Sequence, residues 1–200
     1  MRLQEIHPAL VHFPIAILPT ALAVDAVGRL TGEEPLLRMG KVGIAFAAGS
    51  GLIAGVAGLI AQEASRFGPE AGQALVTHRN VNLGVIALTG WMAARRSTRR
   101  VPSLRYLALG IGGVAAMTYS AYLGGLMVYE HGVGVSPAGG LRPARAPRLG
   151  SDRGVDALRI AGANVVDGIR TTAQSLTRGE IVPWLTERDR SPLSLDQPEA

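Results

Sequence analysis

The chain contains no cysteine. That excludes disulfides, thiolate metal sites, a cysteine nucleophile and covalent c-type haem attachment, so any metal or haem must be held by histidine, carboxylate, methionine or tyrosine. Charge is also scarce. Only 18% of the residues are Asp, Glu, Lys or Arg, against about 25% in an ordinary soluble domain. No aromatic stacking platform and no basic helix is visible, so the net charge of +5 points to membrane topology and anionic lipid, not to nucleic acid. There is no Gly-x-Ser-x-Gly elbow and no Walker sequence, and Ser50, between glycines in an apolar run, reads as a packing residue. Hydrolase chemistry is not expected.

What the chain does have is apolar surface and glycine. Of its 200 residues 48% are hydrophobic and 26 are glycine, the composition of a small integral membrane protein. Four apolar segments follow in order. The first, Pro8 to Leu30, opens on His7-Pro-Ala-Leu-Val-His-Phe-Pro14, with Pro14 and Pro19 expected to kink it. It reads as a retained helix, not a secretory signal, because no convincing cleavage site follows. Asp25 lies deep within it, either as an intramembrane functional group or, if the helix ends early, facing water or a loop arginine. The second, Val42 to Ala61, has twenty residues without a charge, enough to span a hydrocarbon core of about 30 Å. Its Gly51, Gly55 and Gly58 permit close approach of another backbone or a flat ligand. The stretch Gln62 to Thr77 is expected to be a loop or short surface helix, with Thr77 capping a third segment, His78 to Ala94. The fourth runs from Leu104 to Tyr129 and closes at Glu130-His131-Gly132.

Four passes put the start of the first segment, the end of the second, the start of the third and the end of the fourth at one membrane face. That face carries all four histidines of the chain, His7, His12, His78 and His131. The other face receives Arg29, Arg38, Lys41, Arg95, Arg96, Arg99, Arg100 and Arg105. By the positive-inside rule the arginine side is cytoplasmic and the histidine side extracytoplasmic. No internal repeat stands out, although two helical hairpins would give the bundle a pseudo-symmetric look.

The fold expected is therefore all-α: a four-transmembrane-helix bundle over residues 1–135, a Pro/Gly/Ala/Arg linker over 136–151, and an amphipathic helix with a disordered polar tail over 152–200. In the last region Val155, Leu158, Val165, Ile169 and Leu176 recur at helical spacing, suiting a helix on the membrane or on a partner. The stretch Pro183 to Ala200 is polar and expected to be mobile.

The motifs His7-Pro-Ala-Leu-Val-His-Phe-Pro14 and Gly124-Gly-Leu-Met-Val-Tyr-Glu-His-Gly-Val-Gly-Val135 resemble those of DUF2231, a family of bacterial integral membrane proteins. The resemblance covers Ile6 to Val135. It implies a four-helix membrane domain of the bacterial inner membrane, whose relatives sometimes occur beside c-type cytochromes or other redox modules.

Histidines gathered at one face suit three readings. Neutral imidazoles from two helices can ligate haem b, with His12, His78, His131 and His7 as candidate ligands and Arg79 or Arg66 near the propionates. Such a centre would exchange electrons with an extracytoplasmic cytochrome or a quinone. Alternatively, the same histidines with Glu63 or Glu130 make a non-haem site for a divalent metal, although no local H-E-x-x-H spacing supports it. A third possibility is structural, with the imidazoles hydrogen-bonding carbonyls in an accessory subunit. His78, at the start of its segment, is expected to be held neutral by the helix dipole. Asp25 with Tyr119 or Tyr122 is a candidate proton path.

Overall fold

A computed structural model describes residues 2, 5–135, 137–146 and 154–186. The described part is all-helical, consisting of α1 (Ile6–Leu10), α2 (His12–Thr31), α3 (Glu34–Ala64), α4 (Pro69–Ser97), α5 (Leu104–Tyr129), α6 (Gly154–Thr177) and α7 (Pro183–Thr186), with one 3-10 turn at Pro143–Arg145. The first two helices are nearly one rod. They part only at Val11, whose backbone stays helical (φ −64°, ψ −22°). The interruption has a local cause: Pro14, three residues on, has no N–H to offer the Leu10 carbonyl. Beyond it α2 runs unbroken through Pro19.

Local chemistry sets most of the boundaries. Gly32 ends α2 in the left-handed conformation (φ +74°), its N–H bonded to the Gly28 carbonyl at 2.9 Å, a role glycine fills without steric cost. Glu34 and Pro35 open α3, and Pro69 and Glu70 open α4. In each case proline takes a position whose N–H would be unbonded anyway, and the acid meets the positive end of the helix. Ser103 caps α5 by accepting from the Tyr106 N–H at 3.2 Å.

Two expectations are corrected here. The region 62–77 is not a loop, because α3 continues to Ala64 and α4 begins at Pro69. Thr77 caps nothing and instead lies buried within α4. His78 consequently sits well inside α4, so the dipole argument for its neutrality does not apply.

Three helical stretches, Ile6–Thr31, Glu34–Ala64 and Leu104–Tyr129, are long and apolar enough to cross a membrane. The remaining long helix, α4, falls short of that composition because it carries His78, Arg79, Asn80, Asn82, Arg95 and Arg96. It packs between α3 and α5, while α2 packs against the same two helices. The four rods thus close a ring in up-down order, with Leu18, Leu22, Ile44, Val85, Met92 and Met117 filling the middle. Large apolar residues such as Phe13, Phe46, Leu52, Ile53 and Ile111 point outward. So greasy an exterior is unusual for a soluble monomer and natural against lipid.

After α5 the chain returns to the bundle. Leu141 bridges Ser65, and the Arg142 N–H donates to the Ala64 carbonyl at 2.8 Å. The segment expected as a linker is therefore partly tied to the α3–α4 turn. The amphipathic helix is present as α6, but its inner face is Ala157, Ala161, Asn164, Gly168, Thr172 and Ser175. Of the apolar residues picked out by periodicity, Val155, Leu158, Ile169 and Leu176 are exposed. Trp184 of α7 is buried against Ala74, Leu123 and Met127, so the described start of the expected mobile tail is anchored. The rest of that tail, 187–200, lies outside the described residues.

Candidate functional site

Two polar centres occupy opposite ends of the bundle. At the histidine end, His7 Nδ1 faces the Ala54 carbonyl oxygen at 3.0 Å, and His78 Nδ1 faces the Ser120 carbonyl oxygen at 2.8 Å. A carbonyl oxygen only accepts, so in both rings Nδ1 carries the proton and Nε2 keeps a lone pair. Both rings lie at this end of the bundle. Glycine makes room for each. A Cβ at Gly58 would lie 3.1 Å from His7 Cε1, and one at Gly124 would lie 3.3 Å from His78 Cε1.

Around His78 the polar groups form a network. Asn82 Nδ2 has three acceptors in reach: Ser120 Oγ at 2.6 Å, the His78 carbonyl at 2.9 Å and His78 Nε2 at 3.2 Å. An amide nitrogen carries two hydrogens. His78 Nε2, the most distant, is the acceptor least well served. Next to it, Arg79 is buried and donates to Gln62 Oε1 (3.4 Å), to Asn80 Oδ1 (3.2 Å) and to Ser175 Oγ of α6. Among the described residues it forms no salt bridge.

At the arginine end, Asp25 and Arg96 form a fully buried ion pair, with Nη2 to Oδ1 at 2.8 Å and Nε to both carboxylate oxygens at 3.1 Å. The remaining guanidinium hydrogens go to the carbonyls of Leu37, Arg99 and Arg100. Every donor of Arg96 is thus engaged. A Cβ at Gly40 would overlap the Asp25 carboxylate, so glycine there is a condition of the pair. Nearby, Arg29 donates to the Pro102 carbonyl at 2.7 Å and Lys41 to that of Ser97 at 2.8 Å, tying the loop ends together.

These centres are related. Asp25 lies eighteen residues after His7, and Arg96 eighteen after His78. Gly58 lies four after Ala54, and Gly124 four after Ser120. Each hairpin therefore sets a histidine of its first rod on a carbonyl and the following glycine of its second, and carries a charged residue eighteen positions further along that first rod. The two charges, of opposite sign, meet. Eighteen residues at 1.5 Å each span about 27 Å, close to the hydrocarbon thickness of about 30 Å.

The predicted site residues divide. His7 and His78 are brought together. His12 is exposed on α2, with Nδ1 on the Pro8 carbonyl at 2.6 Å. Half-buried in the turn after α5, His131 makes no side-chain hydrogen bond among the described residues. Arg66 is exposed, and Glu63 meets Arg145 at 3.4 Å. No group of three or more His, Asp or Glu side chains able to hold a metal ion occurs among the described residues. For Asp25 the partner is Arg96. Sequence reasoning did not find Asn82, Ser120, Gln62 and Ser175 as partners, or the ion pair. The eighteen-residue interval was the available signal.

Searches of curated proteins and of solved structures return no match. One family model does match, over residues 4–137, which is most of the bundle and more than half of the chain. With its outward apolar coat, its spanning helices and this match, the chain belongs to DUF2231, a family described as predicted membrane proteins.

Proposed function

We propose that this protein is a membrane b-type haem protein in which His7 and His78 would hold the haem, serving as an electron-transfer subunit or accessory of a redox complex. The single observation that carries the reading is the pair of imidazoles on diagonal helices, each with Nδ1 anchored on a carbonyl and Nε2 left as the donor atom. A carbonyl bond to Nδ1 fixes the tautomer that iron requires. The choice between ligands follows from numbers. A divalent metal such as zinc takes three or four protein donors, whereas a porphyrin supplies four nitrogens and asks the protein for two.

The residues present fit haem on three counts. Gly58 and Gly124 leave the space that the His7 and His78 rings take, since a Cβ at either would lie 3.1 or 3.3 Å from a ring carbon. Asn82 is held by two shorter bonds and can yield its contact with Nε2. Arg79, a buried cation whose hydrogen-bond partners among the described residues are the neutral Gln62, Asn80 and Ser175, is suited to a propionate. When bound, haem would supply a one-electron carrier. The arginines and lysine flanking the two connections at the opposite end, against Arg66 in the α3–α4 turn, support a bacterial cytoplasmic membrane protein with the histidine end extracytoplasmic, a contrast that Arg142 and Arg145 narrow.

Detergent-purified protein from cells supplied with haem is expected to show a Soret band with reducible α and β bands. His7→Ala and His78→Ala should each abolish it, whereas His12→Ala should leave it. A folded preparation that stays colourless would sink the proposal. It would favour a second reading, for which the Asn82 contact speaks, in which the imidazoles brace the helices of an accessory subunit.

A further inference from the structure

We infer that α6 is an interfacial helix that seats its exposed apolar arc in the acyl and headgroup boundary of the bilayer. The inference is independent of the haem reading. Three arcs divide the surface of α6. The first, Ala157, Ala161, Asn164, Gly168, Thr172 and Ser175, is buried, and a Cβ at Gly168 would lie 3.0 Å from the Leu59 side chain of α3. Small residues there let the two helices approach closely. The second arc, beside it on the wheel, carries Val155, Leu158, Val166, Ile169 and Leu176, which are 45–69% exposed. At 100° per residue it spans about 80°. The third carries Asp156, Asp167 and Gln174, with Arg159 and Arg170 along its border with the apolar arc.

Depth decides what covers the second arc. Leu59 follows Gly58, the glycine on which His7 rests. That level is one end of the span of about 27 Å between the two polar centres, so the middle of α6 lies at the edge of the hydrocarbon. A helix docked there on the flank of a spanning bundle has a protein side, a lipid side and a water side. The three arcs follow in that order. The apolar arc also continues the lipid-facing coat of α3, which includes Leu52, Ile53 and Val56. Arg159 and Arg170 stand where headgroup phosphates would be, as on other interfacial helices.

The absence of cysteine makes the test direct. Four single-cysteine variants of the full chain, Leu158→Cys, Ile169→Cys, Asp156→Cys and Gln174→Cys, are spin-labelled in nanodiscs of phosphatidylethanolamine and phosphatidylglycerol. Relaxation by oxygen is compared with that by a water-soluble nickel chelate. Oxygen should dominate at 158 and 169 and nickel at 156 and 174, the last two also reporting that α6 is intact. Nickel reaching 158 and 169 as freely as 156 would place the arc in water and overturn the inference. Exclusion of both reagents from 158 and 169 would overturn it too, since a second copy or another protein would then cover the arc.

Discussion

Among single residues, Arg96 has the clearest energetic role. Its five donors are all satisfied and its charge is matched by Asp25 alone, so truncating either partner leaves a charge stranded in an apolar interior. Arg96→Met is expected to cost about 3–5 kcal/mol, read as an earlier midpoint in denaturant titration of the detergent-solubilised protein. Asp25→Leu combined with Arg96→Met should recover much of the loss, because an apolar pair of similar volume carries no desolvation penalty. Gly40→Leu should be at least as damaging as Arg96→Met by the same titration, since the added side chain overlaps the Asp25 carboxylate. None of this pairing is visible from Asp25 itself. An acid deep in an apolar helix announces that a partner exists, yet the partner is seventy-one residues away, in what reads as the arginine-rich end of another segment.

Helices show where hydropathy reads well and where it fails. The apolar runs of α2, α3 and α5 are legible because long charge-free stretches have few alternatives. A polar first half shortens the apparent α4, since a buried Thr77 looks like a helix cap until its partner on α7 is in place. In α6 the large apolar residues mark the helix correctly but not its docking face, which is built of alanine, glycine and small hydroxyl side chains that periodicity in bulky residues cannot reveal. The Thr77 hydroxyl oxygen accepts from the Trp184 N–H at 3.0 Å, which fastens α7 to α4. Thr77→Val, isosteric but without the acceptor, should cost about 1 kcal/mol, seen as faster amide exchange at Trp184 and quicker proteolysis around Arg178 while the bundle itself stays protected.

Considered as one molecule, the bundle is two hairpins that repeat the same devices about the bundle axis. In each, a histidine sits on a glycine-flanked carbonyl, and a charge eighteen residues later reaches across to the other hairpin. Helix count alone led to the expectation of four histidines at one end; the carbonyl contacts that set His7 and His78 apart from the exposed His12 were not legible, because side-chain direction within a turn is fixed only by packing. Because Asp25 and Arg96 belong to different hairpins, residues 1–66 and 67–200 expressed together as separate chains should copurify. Arg96→Met in the second fragment should abolish that recovery. The separation of the two centres has one more consequence. A rod with a fixed polar stop near each end acts as a gauge of bilayer thickness: a film much thinner than the gap strands apolar side chains in water, and a thicker one drowns a stop in oil, so the molecule's tilt is set by the lipid it finds.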